Sequence, residues 1–364
     1  MPNIAAPVRV LVVDDSAVMR QLLTTLLSAD PEIEVVGTAS DPFIARERIK
    51  ALNPDVITLD VEMPGMDGVT FLRKLMTLRP MPVVMFSTLT QAGAEVTLEA
   101  LEIGAVDFVA KPTSDVGAAM AGLAGDLQAK IKAAARTRLH ARRAGMATRP
   151  RERAKLGRPT GKMIVIGAST GGVEALKAVL MGLPADCPPI LITQHMPPRF
   201  TTAFAERLNR ECPMAVSEAA HGDLVKAGHV YVAPGSHHLE LARHGDQFVC
   251  SLNEKPPVSG HRPSVDVLFR SAARLVPTLT IGVILTGMGK DGAQGLLELR
   301  RAGGVTLGQD GSSALIYGMP RVAFEVGAVM RQVPLSKMAD AIIDACGSND
   351  AAMQLDDRRA GRAG

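Results

Sequence analysis

Residues 163–172 read MIVIGASTGG, and this stretch decides how the C-terminal half of the chain folds. Met163, Ile164, Val165 and Ile166 form a short apolar run of the kind expected for a buried strand, the glycines after them turn the chain, and a helix begins near Val173. The turn lifts one hydroxyl, that of Ser169, to the end of a strand. Flanked by Gly167, Gly171 and Gly172, a serine there suits a nucleophile, because glycines let a substrate approach the backbone and the following helix N-terminus favours an oxyanion. The spacing of Gly167, Ser169 and Gly172 also fits a dinucleotide fingerprint with its middle glycine replaced. A phosphate-binding loop is therefore the rival reading.

A serine is a poor nucleophile until a base takes its proton and a carboxylate orients that base. His195 closes the apolar run ILITQ, which predicts it on the same sheet edge as Ser169, and Asp291 follows the apolar run IGVILTG inside the glycine-rich turn GMGKDG. All three are expected past the carboxyl ends of strands, where one site can form. Taken alone, His195 reads as a hydrogen-bonded strand-end histidine and Asp291 as a turn acid. Strand-like runs recur at PPILITQH, PMAVSEA, HVYVAP, HHLELARH, QFVCSLN, LTIGVILTG and GGVTLGQ, with helical spacing at 173–180, 200–210, 265–275 and 293–302. This predicts a doubly wound, mostly parallel α/β domain with an inserted antiparallel hairpin. His221, His229, His237 and His238 invite a metal reading, but no pair has helical ligand separation and no cysteine accompanies them.

The N-terminal third repeats one pattern five times. VRVLVV precedes Asp14, Asp15 and a helical stretch, and EVVGTA, DVITLD, PVVMFS and DFVAKP each lead into another, which predicts a five-stranded parallel sheet with helices on both faces. Ligands bind beyond the carboxyl ends of such strands. Asp14 and Asp15, Asp60, Ser87 and Lys111 fall at those ends. Three crowded carboxylates repel one another and call for a hard cation, and oxygen donors of this kind suit Mg2+. One carboxylate, Asp60, is then placed to accept a phosphoryl group, with Lys111 offsetting its charge and Ser87 bonding one oxygen.

The paired acids, LDVEMPGMDG, the hydroxyl after the fourth strand and KP after the fifth resemble the receiver domain of two-component response regulators. The resemblance implies a flavodoxin-like fold, Asp60 as the phosphorylated residue, Asp14 and Asp15 in the metal site with Asp60, and the Glu62 carbonyl as a further metal ligand. It also implies Ser87 as the switch hydroxyl, Phe108 as the switch aromatic and Lys111 as the phosphate contact.

Composition narrows the classes of function. The 364 residues carry a net charge of +3, with the basic excess gathered between Arg136 and Arg158, and aromatics are 3% with no tryptophan. Nucleic-acid binding is disfavoured, since few rings are present to stack on bases. Cys187, Cys212, Cys250 and Cys346 are scattered without a C-x-x-C pair, against a disulfide framework or structural zinc. No run is apolar enough for membrane insertion, so a cytoplasmic protein is expected. The expected domains are a receiver at 1–125, a basic Ala/Arg-rich linker at 126–160, a catalytic domain at 161–348 and a polar tail at 349–364.

In the second half GASTGG, QHMP followed by FTTAFAERL, YVAPGSHHLEL, RPSVDVLFRSAA, ILTGMGKDGAQGL and QDGSSALIYGMPRVA occur in order. Together they resemble the catalytic domain of chemotaxis protein-glutamate methylesterases, the CheB family. The resemblance implies a Ser169, His195, Asp291 triad, backbone amides of Thr170 and Met288 near the oxyanion, and no cofactor for ester hydrolysis. It implies methyl-accepting chemoreceptors as substrate, deamidation of certain receptor glutamines, a chemotaxis histidine kinase as phosphodonor, and restraint of the esterase by the unphosphorylated receiver. The alternative is a receiver-controlled dinucleotide- or partner-binding protein without hydrolase activity. A receiver fused to a DNA-binding unit would end in a short helix-turn-helix, against the many strand runs here.

Overall fold

The computed structural model describes residues 6–88, 90–111, 116–137 and 161–347. Most of the expected linker, from 138 to 160, and the polar tail at 349–364 lie outside the described residues. Two compact units divide the chain, Met1–Met146 and Ala147–Gly364.

In the first unit β1 (Val8–Val13), β2 (Ile33–Ala39), β3 (Val56–Asp60), β4 (Val83–Ser87) and β5 (Asp107–Ala110) alternate with α1 (Ala17–Ser28), α2 (Pro42–Leu52), α3 (Gly68–Leu78), α4 (Gln91–Ile103) and α5 (Val116–Ala135). Every strand pair is parallel, in the order β2-β1-β3-β4-β5. Strand order reverses at β1, and the crevice at that switch point is where such sheets bind ligands. Continuous apolar runs fit this position, because helices cover both faces and β3 and β4 are buried at every residue. Ser16, Asp41, Asp67 and Thr90 start α1 to α4 by accepting from amides of the first turn. The last helix carries buried Leu127, Ile131 and Ala134, at the spacing of one helical face, into the stretch where helix was expected only in part.

The second unit contains β6 (Met163–Ala168), β7 (Ile190–Gln194), β8 (Ala215–Glu218), β9 (His229–Val232), β10 (His238–His244), β11 (Gln247–Asn253), β12 (Thr280–Ile284), β13 (Val305–Gln309) and β14 (Arg331–Val333). Its helices are α6 (Gly172–Leu180), α7 (Phe200–Glu211), α8 (Val265–Leu275), α9 (Ala293–Arg301), α10 (Met319–Glu325) and α11 (Leu335–Gly347). Seven strands form one parallel sheet in the order β14-β13-β12-β6-β7-β9-β8, while β10 and β11 pair antiparallel as a separate two-stranded sheet. The expected hairpin thus stands off the main sheet. Leu239, Leu241 and Cys250 turn one face of it into the core with Leu268 and Phe269 of α8, each large apolar side chain contributing about 1.5–3 kcal/mol by burial. The central strand β6 has β12 on one side and β7 on the other, so the carboxyl ends of three neighbouring parallel strands lie side by side at one sheet edge. No described helix is long and apolar enough to cross a membrane.

Candidate active site and acidic receiver site

Sheet register brings the first two predicted residues together. Ala168 at the end of β6 is paired with Gln194 at the end of β7, so Ser169 and His195 are the next residues out on adjacent strands, and the His195 amide donates to the Ala168 carbonyl at 3.2 Å. Gln194, buried, ties the two backbones further: its Nε2 donates to the Ser169 carbonyl at 3.0 Å and to the His195 carbonyl at 3.2 Å. A dinucleotide site would want an acid at this strand end to hold a ribose. The chain has Gln194 and His195 there instead.

Asp291, on the loop after β12, meets His195 side chain to side chain, with Nε2 2.8 Å from Oδ2. An ionised carboxylate only accepts, so the imidazole proton sits on Nε2 and Nδ1 is left as the basic nitrogen. Nδ1 is buried and has no hydrogen-bond partner. It is the atom available to a serine hydroxyl. The Ser169 hydroxyl does not yet engage it, and such contacts commonly tighten only when substrate is bound. Across the His195 ring lies His261, stacked at 3.7 Å between centroids and 10° between planes, which restrains the plane of the imidazole.

The environment of Asp291 explains how a carboxylate 1% exposed stays charged. Burial alone would push its pKa up. The hydrogen bond and charge of His195, the Ser264 hydroxyl and the Val265 amide outweigh that and hold the carboxyl below its ordinary value. Ser264 Oγ donates to Oδ1 at 2.8 Å, Val265 N to Oδ2 at 2.7 Å, and the amides of Asp266 and Gly292 to Oδ1 at 3.1 and 3.0 Å. Ser264, Val265 and Asp266 are the open first turn of α8, whose Ser264 N-cap makes no capping bond of its own, and Gly292 begins the helix that follows Asp291. The carboxylate of a residue 27 positions downstream caps the helix instead, and the positive helix end favours the charge. Behind it His238, buried, accepts from the Ser264 amide at 3.1 Å and lies 3.2 Å from the Pro256 carbonyl.

Two turns flank Ser169. Gly171 has φ of 76°, a left-handed conformation that glycine tolerates, and it starts α6 directly behind the serine. On the β12 side, a Cβ built on Gly287 would stand 2.8 Å from Ser169 Cβ and 2.3 Å from Met319 Sδ, so only glycine lets the turn carrying Met288 press against Ser169. Thr170 and Met288 therefore lie on the two turns that bracket Ser169.

In the first unit Asp14, Asp15 and Asp60 each offer an oxygen within 4.8 Å of the others. Lys111 Nζ lies 2.7 Å from Asp60 Oδ1 and 3.6 Å from Asp14 Oδ2, and Asp60 Oδ1 also accepts from the Glu62 amide at 3.2 Å. Burial, with Asp14 alongside, pushes Asp60 up to about 6 against the pull of Lys111, and burial likewise raises Asp14. Asp14 Oδ2 and Asp60 Oδ2 are buried without a hydrogen-bond partner. Buried carboxylate oxygens without hydrogen bonds, in an all-oxygen donor set gathered this closely, fit a small hard cation such as Mg2+. Ser87, buried at the end of β4, bonds the Gly93 carbonyl at 3.3 Å, and the Lys111 amide donates to the Ser87 carbonyl at 2.7 Å. Phe108 is buried, with Lys130 Nζ 2.8 Å from its carbonyl and 5.5 Å from its ring centroid.

Among the described residues this acidic trio is the only group of three side chains placed to hold a metal. His221, His229, His237 and His238 are engaged separately, with Leu252 N, Ser217, Ser236 and the Ser264 amide. Sequence reasoning passed over Ser264, His261 and Gln194 as site residues. A serine immediately before the helical run 265–275 was a visible N-cap signal, though nothing local says that its partner is Asp291.

The family described as CheB methylesterase matches residues 164–342, and the response regulator receiver domain matches residues 10–118. A curated relative from Caulobacter vibrioides, protein-glutamate methylesterase/protein-glutamine glutaminase 1, is 57% identical over 340 residues, which cover 93% of this chain and 98% of the relative. Protein-glutamate methylesterase/protein-glutamine glutaminase 2 of Pseudomonas aeruginosa is 54% identical over 337 residues, covering 93% and 96%. The crystal structure of the Thermotoga maritima CheB methylesterase catalytic domain is 38% identical, covers 50% of this chain and 97% of its own, and has a TM-score of 0.49. With more than half of all positions shared along nearly the full length of two such relatives, the chain belongs to the CheB methylesterase family that carries an N-terminal receiver domain.

Proposed function

We infer that this protein is a phosphorylation-controlled protein-glutamate methylesterase acting on methyl-accepting chemoreceptors in chemotaxis adaptation, and that it deamidates receptor glutamines by the same acyl chemistry. The observation that carries the reading is the His195–Asp291 pair at 2.8 Å, set beside Ser169 on the next strand end. Ser169 Oγ attacks the ester carbonyl while His195 Nδ1 takes its proton, and the oxyanion is received by the amides of Thr170 and Met288. The His195 proton then passes to the departing methoxide, giving methanol and an acyl-enzyme. Water, deprotonated by His195, attacks the acyl carbon and frees the glutamate carboxylate with Ser169 restored. With glutamine the leaving group is ammonia, and the remaining steps are the same.

In the receiver unit Asp60 is the phosphoryl acceptor from a chemotaxis histidine kinase. Asp14, Asp15, Asp60 and the Glu62 carbonyl would hold Mg2+, which offsets negative charge on the carboxylates and phosphoryl oxygens when bound. Lys111 and Ser87 contact the phosphoryl oxygens, and Phe108 reports the change.

The testing assay is methanol release from methylated chemoreceptors, with and without a small phosphodonor and Mg2+. A rate that rises with both supports the reading, and absence of methanol in every condition refutes it. A fragment beginning at Gly161 should run faster than the unphosphorylated full chain and ignore the phosphodonor; equal basal rates would remove the inhibitory role of the receiver. Ser264→Ala deletes one of the four α8 and loop donors on Asp291. A hydrogen bond to a charged group is worth about 1.5–3 kcal/mol, so kcat should drop roughly tenfold, with a lower melting midpoint. Unchanged kcat would show that the remaining donors suffice.

A further inference from the structure

Thr286 follows β12 and is 1% exposed, and each of its polar atoms is in use. Its amide donates to Gln309 Oε1 at 2.8 Å, and its carbonyl accepts from the Ser169 amide at 3.0 Å. Its hydroxyl donates to the Thr170 carbonyl at 3.0 Å and accepts from the Ile316 amide at 2.9 Å, with the Ile316 carbonyl at 3.3 Å. Ile316 in turn accepts from the Gly287 amide at 3.1 Å, and the Gly287 carbonyl accepts from Met319 N at 2.8 Å. Three chain segments distant in sequence therefore meet on one hydroxyl: the nucleophile turn, the turn that carries Met288, and the strap Leu315 to Met319 that crosses both.

We propose that Thr286 is a positioning residue for ester hydrolysis, whose hydroxyl sets the spacing between the Thr170 turn and the Met288 turn so that their amides converge on the same oxyanion. The proposal rests on the esterase reading above and deepens it. Only a hydroxyl donates and accepts at once from a β-carbon, as this junction requires. Valine has the same shape but removes both the bond donated to the Thr170 carbonyl and the acceptor of the Ile316 amide, so the two turns lose their common tie. Oxyanion stabilisation depends on donors fixed before the reaction, and losing one donor costs about 10² to 10³ in kcat. Loosening two donors should cost less, roughly tenfold to a hundredfold, and should spare ground-state binding.

The test uses the full chain with phosphodonor and Mg2+, measuring kcat and KM for methanol release from methylated chemoreceptors well below each variant's melting midpoint. Thr286→Val is expected to lose kcat roughly tenfold to a hundredfold with KM nearly unchanged, and Thr286→Ser, which keeps the hydroxyl, to restore most of it. Thr286→Cys, a weak donor and acceptor, should fall between them, and the Ser to Cys ranking decides the matter if the valine variant does not fold. Wild-type kcat in Thr286→Val, equal losses in Ser and Val, loss appearing in KM alone, or no difference between Ser and Cys would each overturn the proposal. Ser169→Ala is run alongside. If it still releases methanol, Ser169 is not the nucleophile and the Thr286 role falls with it; if it is silent while Thr286→Val matches wild type, only the positioning role falls.

Discussion

In Ser169→Ala, methanol release from methylated chemoreceptors is expected to fall by a factor on the order of 10⁶, as when a serine hydrolase loses its nucleophile. The fold should survive the change. Ser169 holds its turn through backbone atoms, the amide on the Thr286 carbonyl and the carbonyl under the Gly172 amide and Gln194 Nε2, and alanine keeps all of them. The variant should thus melt like the wild type and still take phosphate on Asp60. Methanol assay, thermal melting and phosphate incorporation measured on one preparation separate loss of chemistry from loss of structure. A variant that keeps releasing methanol would mean that another residue attacks the ester.

Asp60→Asn should abolish phosphate incorporation and with it all stimulation by a phosphodonor, leaving basal methanol release within about twofold, since basal chemistry needs no group of the receiver. The amide cannot form an acyl phosphate. The substitution should not cost stability in metal-free buffer, and the sign follows from the raised pKa. An aspartate moved from 3.8 to about 6 by burial makes the fold least stable when ionised: that penalty is full above about 6 and vanishes as pH falls toward 3.8. Removing the carboxylate should raise the melting midpoint at pH 8 and leave it little changed near pH 4. Retained stimulation, or phosphate found on another residue, would move the acceptor elsewhere.

How much of this was legible beforehand depends on whether the signal was local. Apolar runs ending in a single polar residue gave Asp14, Asp60, Ser87 and Lys111 on one sheet edge, and likewise Ser169 and His195 on another. In parallel sheets a strand end is also a site edge, so position in the run carries position in the fold. The clamp on Asp291 was not legible, because it joins the open end of α8 to a loop 27 residues later and no local pattern records that pairing. The stack of His261 on His195 is hidden for the same reason. Separation of β10 and β11 from the main sheet depends on packing against α8, which alternation along a strand does not encode. The helices α10 and α11 were passed over, the first having only seven residues with a proline near its start. The second shows buried Met338, Ile342 and Ala345 at helical spacing, a signal that was present in the sequence.

Covalent attachment of substrate carbon to Ser169 is the central step, and a phosphonylating probe of serine hydrolases tests it directly. Peptide mapping by mass spectrometry should find the adduct on Ser169, with methanol release lost in proportion to labelling and labelling slowed by methylated receptor. An adduct on a different residue that silences the enzyme, or complete labelling of Ser169 with methanol release intact, would contradict it.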